Sequence, residues 1–476
     1  MSDARALDRT AHALVAEPLR SLSDYLDAGG MAGLGAARLV GPSAVIDEID
    51  HAGVRGRGGA GFPTGRKWRS LRAAIGPDDA GFVVVNAAEG EPGTFKDRAL
   101  LRRNPFLVLE GALIAAAVLD VGRIVVATKG RYEQEVGLLR QAIAELAEAG
   151  LSDGISVEVV EGPDHYLFGE ETALLEVIEG EDPLPRNLAP YDYGLFTTSP
   201  QLGWSAGEDQ SPTGSSVESA NPALVNNVET YAHVALVLRH GAEWYRSMGT
   251  EQSPGPTIVT ITGDVATPVV AEIALGARLG EVVEELAGGV LDGGSVKAVL
   301  SGVSNPVLLG DRLHTPITYE HLADAGGGLG SAGFIVFDDR RNMVDVAYQV
   351  LRFLHVESCG QCNPCKTGTA SIATVLEDLV WGTASSSAIA ELQRSVQTVT
   401  DASRCYLPRQ AQLLVTSLLQ RFPDDVEERL RAPGDPHLVL PKLVDLVDGT
   451  VVTDPSLAYK RPDWSYAETP VWLSPR

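Results

Sequence analysis

The stretch FVVVNAAEGEPGTFKDR, residues 82–98, indicates the fold class of the first half of this chain. Its opening residues form a short apolar run that is typical of a buried β-strand. The run ends at Asn86, and a segment rich in glycine and acidic residues follows it. Ligands of α/β proteins bind at the carboxyl ends of parallel strands. Asn86, Glu89 and Glu91 are therefore candidates for a binding edge, although such a segment alone is more often a cap or turn.

Strand and helix patterns alternate on both sides of this stretch. Short apolar runs at 123–128 and 155–162 predict further strands. Apolar residues at three- and four-residue spacing predict helices at 106–120 and 132–150. This alternation predicts an α/β sandwich that extends to about residue 240.

The rest of the chain divides by composition and periodicity. We expect a helical lead-in at 1–42, the α/β domain at 43–250, a small α+β domain at 251–340, a helical bundle at 341–430 and a C-terminal extension at 431–476. Residues 192–222 are rich in Ser, Gly and Pro and predict a long surface insertion within the α/β domain. The extension is expected to pack on its own chain rather than to wrap a partner.

Composition excludes several classes of protein. The chain has 476 residues, enough for about three domains. Its formal net charge of −25 argues against nucleic acid or an anionic membrane as a partner. No basic region followed by an apolar run opens the sequence, and the most apolar stretch, 107–119, is short and contains Glu110. We expect a cytoplasmic protein without direct membrane insertion.

The four cysteines predict a metal centre. Cys359, Cys362 and Cys365 form C-x2-C-x2-C, and Cys405 follows later. Such clustering in a large chain without a secretory signal indicates metal rather than disulfides. Three ligands in one turn and one remote ligand match an iron–sulfur cluster, whereas structural zinc favours two separate C-x2-C pairs. Zinc and unrelated buried thiols remain the alternatives.

A glycine-rich loop precedes the strand at 82–86. Its letters, Gly56 to Gly61, match G-x-G-x-x-G, but a predicted helix precedes them instead of a strand. Such a loop lets backbone amides approach a planar or phosphorylated ligand, and Lys67 can neutralise a phosphate. A generic flexible loop is the alternative interpretation.

Five motifs in one order carry a family resemblance. RGRGGAGFPTG, EGEPGTFKDR, GEETAL, VNNVET and ESCGQCNPC, with the late cysteine, resemble the NADH-oxidising flavoprotein subunit of respiratory complex I. The diaphorase subunits of NAD-linked formate dehydrogenases and hydrogenases share this module. The resemblance covers about residues 20–430.

The resemblance implies a fold and a set of site residues. The fold would be a flavin-binding α/β domain, a ubiquitin-like β-grasp domain of the SLBB type and a helical bundle with a [4Fe–4S] cluster on the four cysteines. FMN would be held by Gly56, Gly58, Gly59, Lys67, Asn86, Glu89, Gly169, Glu170, Glu171, Asn226 and Asn227. NAD(H) would lie against Phe62, Glu91, Tyr166 and Tyr191. Hydride would pass from NADH to flavin and single electrons to the cluster, so no side chain need act as acid or base.

Four positions depart from the pattern of this family. Ala88 stands where Asp is usual, Ser70 where an aromatic residue is usual, Leu188 where Lys is usual and Phe168 where Cys is usual. The first three belong to the nucleotide-binding surface. An alternative function is therefore an FMN/[4Fe–4S] relay subunit of a formate dehydrogenase- or hydrogenase-like complex with impaired NAD use. A paralogue that holds a cluster without flavin is a third.

The resemblance also implies partners. One cluster uses all four cysteines, so electrons would leave to a separate [2Fe–2S] thioredoxin-like subunit within a larger oxidoreductase complex. Through such a complex the chain could lie peripherally on the cytoplasmic face of a membrane.

Overall fold

The computed structural model describes residues 12–76, 80–197, 221–438 and 440–471. Most of the predicted insertion at 192–222 therefore lies outside the described residues, as does the start of the predicted helical lead-in. Two β-sheets, each with its own helices, and a group of helices follow one another along the described chain. None of the helices in these ranges is both long and apolar enough to cross a membrane.

The first sheet has four parallel strands in the order β3-β2-β1-β4. They are β1 (Phe82–Ala87), β2 (Arg123–Lys129), β3 (Ser156–Gly162) and β4 (Ala223–Asn227). The first three confirm the predicted strands. Asn86 pairs with Asn227 in the register of β1 and β4, so both lie at the carboxyl edge of the sheet.

Helices cover both faces of this sheet, as the predicted α/β sandwich requires. They are α1 (Leu22–Asp27), α2 (Ala32–Val40), α3 (Pro42–Ala52), α4 (Thr64–Ala74), α5 (Lys96–Arg103), α6 (Pro105–Leu119), α7 (Glu133–Glu148), α8 (Glu171–Ile178), α9 (Val228–His240) and α10 (Ala242–Arg246). Val83 and Val85 of β1 belong to the core that α6 and α9 share, whereas Phe82 and Val84 belong to a second core with α8. Burial on both faces explains why β1 is a continuous apolar run.

Close packing of α6 against α9 places the start of α9 at the carboxyl edge. A Cβ atom at Gly111 of α6 would lie 2.0 Å from the carbonyl oxygen of Tyr231, so only glycine permits this approach. Asn227 caps α9, because its side chain accepts a hydrogen bond from the backbone N–H of Glu229 at 3.0 Å. The end of β4 and the start of α9 are thus one continuous turn.

The second sheet has five strands in the order β6-β5-β9-β7-β8. They are β5 (Pro256–Gly263), β6 (Val269–Ala274), β7 (Val296–Ser301), β8 (Leu308–Leu309) and β9 (Gly333–Asp338). β5 pairs in parallel with β9, and the other pairs are antiparallel. The helix predicted within this region is short: α11 (Leu279–Glu281) continues as a π-helical turn at Val282–Leu286. A further helix, α12 (Tyr319–Asp324), lies before β9.

The remaining helices form the predicted bundle. They are α13 (Met343–Glu357), α14 (Asn363–Trp381), α15 (Ala388–Thr398), α16 (Leu407–Arg421) and α17 (Pro423–Arg431). Ile335 of β9 and Leu300 of β7 share the hydrophobic core of this bundle, so the second sheet packs directly against it.

The C-terminal extension packs on its own chain, as expected. It forms an antiparallel hairpin of β10 (Leu443–Val447) and β11 (Thr450–Thr453), followed by a 3-10 turn at Pro455–Ala458. The guanidinium group of Arg98 donates to the carbonyl oxygens of Leu443 at 2.9 Å and Val444 at 3.0 Å. The hairpin is therefore attached to α5 of the first domain.

Candidate functional site

The glycine-rich loop lies beside the end of β4. The N–H of Gly56 donates to the carbonyl oxygen of Phe62 at 2.9 Å, which closes the loop. A Cβ atom at Gly58 would lie 3.4 Å from Cβ of Asn227, whereas one at Gly59 would meet no atom within 4 Å. Gly59 also has a φ of +125°, a conformation that side chains disfavour. The loop therefore presents bare backbone to open space next to Asn227.

Arg57 anchors this loop, although sequence reasoning did not select it. Its side chain is 3% exposed. The guanidinium group donates to Tyr319 Oη at 2.9 Å, to Tyr245 Oη at 3.1 Å and to the carbonyl oxygen of Pro256 at 2.9 Å. Its backbone N–H donates to Thr230 Oγ1 at 2.9 Å. These hydrogen bonds of Arg57 hold the backbone of the glycine loop in one position.

Lys67 links three of the predicted segments. It lies in α4, and its ammonium group donates to the carbonyl oxygen of Val225 at 2.7 Å and to Glu171 Oε2 at 3.0 Å. Asn226, with its amide oriented by its neighbours, accepts a hydrogen bond from the indole nitrogen of Trp68 at 2.8 Å. The helix after the glycine loop, β4 and the start of α8 therefore meet at one place.

Asn86, Gly169 and Glu170 lie together at the carboxyl edge of the first sheet. Asn86 Nδ2 donates to the carbonyl oxygen of Gly169 at 2.8 Å. Glu170 caps α8, because its carboxylate accepts from the backbone N–H groups of Thr172 at 3.0 Å and Ala173 at 2.8 Å. Burial raises the pKa of Glu170 above its ordinary value. Glu170 is therefore a helix cap at the carboxyl edge of the sheet. A residue in this place can be a cap and also belong to a binding site, so the two interpretations of the motif do not exclude each other.

Glu89 is held by the helix that follows it. Its carboxylate accepts from Arg98 Nε at 2.9 Å and from the backbone N–H of Asp97 at 3.1 Å. The side chain is 4% exposed. Both partners belong to α5, so the loop between β1 and α5 is closed over the sheet edge.

A buried charged group under this edge was missed by sequence reasoning. The ammonium group of Lys96 lies 2.6 Å from Asp97 Oδ1, 3.0 Å from Asn227 Oδ1 and 3.0 Å from Glu229 Oε2. Burial raises the pKa of Asp97 to about 6, although the ammonium group of Lys96 favours its ionised form. The signal was present, because these residues lie inside the quoted motifs EGEPGTFKDR and VNNVET.

Of the four residues expected to face a nucleotide, Glu91 and Tyr166 lie near each other, whereas Phe62 and Tyr191 lie elsewhere. Phe62 is 48% exposed beside the glycine loop, and the guanidinium carbon of Arg66 lies 5.8 Å from its ring centre. Glu91 turns towards the second sheet, where its carboxylate accepts from the N–H of Val303 at 3.0 Å and from Ser331 Oγ. Burial raises the pKa of Glu91.

The two tyrosines of that set are placed differently. Tyr166 is directed inward, and its hydroxyl accepts a hydrogen bond from Gln410 of α16 at 2.8 Å. Tyr191 is 53% exposed. It follows Pro190, whose carbonyl oxygen accepts from the N–H of Ala223 at 2.8 Å, at the first residue of β4. Tyr191 therefore lies at the opposite end of β4 from Asn227.

The four cysteines line one cavity between α13, α14 and α16. Cys359 and Cys362 lie in the turn that joins α13 to α14, where Gly360 has a φ of +83°, and Cys365 lies in the first turn of α14. Cys405 lies just before α16. All four are free thiols. Four thiols directed to one cavity are the donor set that a [4Fe–4S] cluster requires.

Burial affects the protonation of these thiols. It raises the pKa of Cys365 to about 11 and that of Cys405 to about 12. Metal ligation requires thiolates, so binding of iron must displace these protons.

A single turn contacts both candidate sites. This 3-10 turn, Tyr166–Gly169, lies between β3 and α8. Leu167 lines the cysteine cavity, and the carbonyl oxygen of Gly169 is bonded to Asn86 at the sheet edge. A polar edge of a parallel sheet, joined by one turn to a four-cysteine cavity, is the arrangement expected of an electron-transfer flavoprotein.

Comparisons with known proteins agree with this class and narrow it. Residues 49–236 match the Nuo51 FMN-binding domain, and residues 345–429 match the NADH-ubiquinone oxidoreductase-F iron-sulfur binding region. The F 2 subunit of the NADH-quinone oxidoreductase of Rhizobium meliloti (strain 1021) is 35% identical over 392 residues, 80% of this chain and 87% of the relative. The F subunit of Aquifex aeolicus (strain VF5) is 33% identical over 420 residues, 86% and 91% respectively. The chain belongs to the family of NADH-quinone oxidoreductase F subunits.

A solved structure gives the same result. The chain is similar to one from the crystal structure of an NAD+-reducing [NiFe]-hydrogenase in the H2-reduced state, with a TM-score of 0.74 and 32% identity. The match covers 88% of this chain and 68% of that chain. These findings confirm the family resemblance and the FMN and [4Fe–4S] predictions, and they favour the cluster over zinc. They give the relay alternative no advantage over NADH oxidation.

Proposed function

We propose that this chain oxidises NADH at FMN and passes single electrons through its cluster to a partner subunit. The turn Tyr166–Gly169 is the observation that carries this proposal. Leu167 of the turn lines the cysteine cavity, while the carbonyl oxygen of Gly169 lies 2.8 Å from Asn86 Nδ2. One short segment therefore spans the space between the two sites. Such a span supports electron transfer, because it holds both sites at a fixed separation.

The flavin pocket that we propose lies at the carboxyl edge of the first sheet. When bound there, FMN supplies the conversion between the electron pair of NADH and single electrons. Gly56, Gly58 and Gly59 would offer backbone amides to the phosphate or the ring. Gly169 would contribute its backbone, and the proposed side-chain contacts are those of Lys67, Asn86, Glu89, Glu170, Glu171, Asn226 and Asn227.

The fixed charges of this pocket are paired before any ligand binds. Lys67 has Glu171 at 3.0 Å, and Glu89 has Arg98 at 2.9 Å. Lys67 remains 27% exposed, so it can also approach a phosphate. Asn227 is held by Asp97 and Lys96 at 2.7 and 3.0 Å. Pre-placed polar groups of this kind bind and orient a cofactor without rearranging.

For the nucleotide we propose that Phe62 is the direct contact. Its exposed ring lies at the open side of the glycine loop, with the cation of Arg66 nearby. Glu91 and Tyr166 are hydrogen-bonded inside the protein, so we propose that they border the nucleotide site without covering it. Tyr191 would contribute only if the chain around β4 rearranged, since it lies at the other end of that strand.

The finer fold is also a proposal. Residues 251–340 would form a ubiquitin-like β-grasp domain of the SLBB type, between a flavin domain at 43–250 and a cluster domain at 341–430. The strand order β6-β5-β9-β7-β8, with an outer hairpin, a following helix and a central parallel pair, supports this assignment.

The electron exit that we propose is the cysteine turn. Gly360 and Gln361 of this turn are exposed, and Tyr406, next to Cys405, is 54% exposed. A [2Fe–2S] thioredoxin-like subunit of a larger oxidoreductase complex could therefore approach the cluster directly. We propose a cytoplasmic location, either free or peripheral on the membrane through that complex.

Anaerobic spectroscopy tests the function. The full chain is reconstituted with FMN, iron and sulfide, its absorption spectrum is recorded and NADH is then added. Rapid bleaching of the flavin band followed by an electron paramagnetic resonance (EPR) signal of the reduced cluster is expected. A flavin that stays oxidised at millimolar NADH, yet is reduced by dithionite, would overturn NADH oxidation and favour the relay function.

A further inference from the structure

Lys460 is a buried lysine of the C-terminal extension, beyond the residues that match the iron–sulfur family model. Its side chain is 1% exposed. The ammonium group lies 2.9 Å from both carboxylate oxygens of Glu357 and 2.9 Å from Nδ1 of His165. A buried cation is found in proteins only where it is paired in this way.

Glu357 connects this lysine to the turn between the two sites. It is the last residue of α13, two positions before Cys359, and its side chain is fully buried. The backbone N–H of Tyr166 donates to Glu357 Oε2 at 3.0 Å. The first residue of the Tyr166–Gly169 turn is therefore held by a carboxylate whose cation comes from the extension.

Two neighbours of Lys460 in the extension, Pro462 and Trp464, also contact residues next to the Tyr166–Gly169 turn and the cluster ligands. The ring of Trp464 stacks on His165, with 4.4 Å between ring centres and 22° between ring planes. Lys366 of α14 follows Cys365 and donates to the carbonyl oxygen of Pro462 at 2.5 Å and to that of Ser358 at 2.6 Å. Residues 460–464 thus contact both the start of the bridging turn and the helix that carries the cluster ligands.

We propose that Lys460 is a positioning residue for electron transfer between the flavin pocket and the cluster. Removing one partner of a buried ion pair leaves an uncompensated buried charge, and the side chain that carries it reorients towards other partners. Glu357 would then hold the N–H of Tyr166 less firmly, and the Tyr166–Gly169 turn would loosen. This inference rests on the proposed function, because it assumes that the turn lies on the electron path.

The test compares Lys460→Met with Arg461→Met, a control at the neighbouring exposed cation. Each full-length chain is loaded with FMN and cluster and checked for iron and flavin content. Stopped-flow absorbance follows flavin bleaching by NADH, and rapid-freeze EPR follows reduction of the cluster. Hydrogen exchange of a peptide spanning residues 164–170 is measured separately, without NADH.

For Lys460→Met we expect flavin bleaching at the wild-type rate, faster amide exchange in that peptide and slower cluster reduction. Electron transfer slows as its two sites move apart, so a clear loss of the cluster reduction rate relative to wild type is expected. Lys460→Arg should recover most of the rate, and Arg461→Met should behave as wild type. Equal exchange and equal cluster reduction in Lys460→Met and wild type would overturn the proposal.

A folding defect is separated by a second variant. Lys460→Met combined with Glu357→Gln leaves no unpaired charge, so this chain should fold and load its cluster. A neutral amide accepts the N–H of Tyr166 more weakly than a carboxylate does, so this variant should still show faster exchange at 164–170. A wild-type cluster reduction rate in it would also overturn the proposal. If wild-type flavin is not bleached by NADH, the proposed function fails, whereas the exchange comparison still decides whether Lys460 holds the turn.

Discussion

Asn86 donates a hydrogen bond from Nδ2 to the carbonyl oxygen of Gly169 at 2.8 Å, and this bond joins two motifs from different parts of the chain. Its Oδ1 accepts the N–H of Ala88 at 3.2 Å. One side chain therefore fixes the loop after β1 and the end of the turn that reaches the cysteine cavity. A substitution at Asn86 should therefore lower the affinity for FMN.

Replacing Asn86 by Ala should weaken FMN binding. The change leaves the carbonyl oxygen of Gly169 without this partner and costs about 1 kcal/mol, which is about fivefold in affinity if it falls wholly on the flavin-bound form. Fluorescence titration of the apoprotein with FMN measures it. Asn104→Ala is the matched control, because Asn104 caps α6 through the N–H of Leu107 at 3.2 Å, away from the site. Equal FMN affinity in Asn86→Ala and Asn104→Ala would contradict the assignment.

Replacing Cys405 by Ser should remove the cluster and leave the flavin in place. Cys405 is the proposed ligand before α16, whereas the other three lie in the α13–α14 turn and at the start of α14. Serine is a poor ligand for an iron–sulfur cluster, which is held by thiolates. Iron analysis and EPR of the dithionite-reduced protein measure the loss, and FMN content is the internal control. Wild-type iron content would show that Cys405 is not a ligand.

Replacing Ser358 by Ala should lower the reduction potential of the cluster. Ser358 Oγ lies 3.5 Å from Cys365 Sγ, and hydrogen bonds to cluster sulfurs stabilise the reduced state. A bond worth about 1 kcal/mol corresponds to a fall of up to about 40 mV for one electron. An EPR redox titration measures it. Ser371→Ala is the control, since Ser371 contacts Ser395 at 2.9 Å instead of a thiol. An unchanged potential in Ser358→Ala would show that this contact does not tune the cluster.

The sequence predicts the elements of the first sheet well, and the reason is burial. β1 is covered by α6 and α9 on one face and by α8 on the other, so nearly every position is apolar. The sequence also predicts the cysteine turn, because cluster ligands require fixed residue types at fixed spacing. The spacing does not show what lies beside the cavity.

The contacts between elements could not be predicted. Arg57, Lys96 and Lys460 are buried, although such residues are usually exposed. The quoted motifs contain Arg57 and Lys96, but a motif does not show which atoms these side chains contact. Each has at least one partner from a distant part of the chain, as Lys96 has Glu229 and Lys460 has Glu357. The turn Tyr166–Gly169 is too short to have a periodicity, so its place between the sites appears only in three dimensions.

His233 should make the fold less stable as pH falls from about 7 to 5. Burial lowers its pKa to about 4 from the ordinary 6.5, although Glu229 lies 3.3 Å away and opposes the shift. Above about pH 6.5 neither state binds this proton. Between about 6.5 and 4 the unfolded chain binds it and the folded chain does not, so unfolding becomes easier as pH falls.

The size of this effect can be isolated by mutation. Near pH 5 the single site costs about 2 kcal/mol, and His233→Gln should lose about that much less stability between pH 7 and pH 5. Urea unfolding at both pH values measures the difference. His51→Gln is the control, since His51 is 61% exposed and pairs with Glu243 at the surface. A pH dependence in His233→Gln equal to that of wild type would contradict the prediction.

Replacing Phe62 by Ala should raise KM for NADH and leave FMN content unchanged. The ring is 48% exposed directly after the glycine loop, and the guanidinium carbon of Arg66 lies 5.8 Å from its centre. Loss of an aromatic stacking contact costs about 0.5–1.5 kcal/mol, so KM should rise by about threefold to tenfold with little change in kcat. Steady-state kinetics with ferricyanide as the acceptor measures both constants. Leu39→Ala is the control, because Leu39 is a large apolar residue, 88% exposed, on α2.

Tyr191→Ala distinguishes the geometry from the family pattern: its position at the amino end of β4 predicts a wild-type KM, whereas a family-type nucleotide contact predicts a rise. A raised KM in Tyr191→Ala together with an unchanged KM in Phe62→Ala would place the nucleotide away from the glycine loop and overturn the site proposed for it.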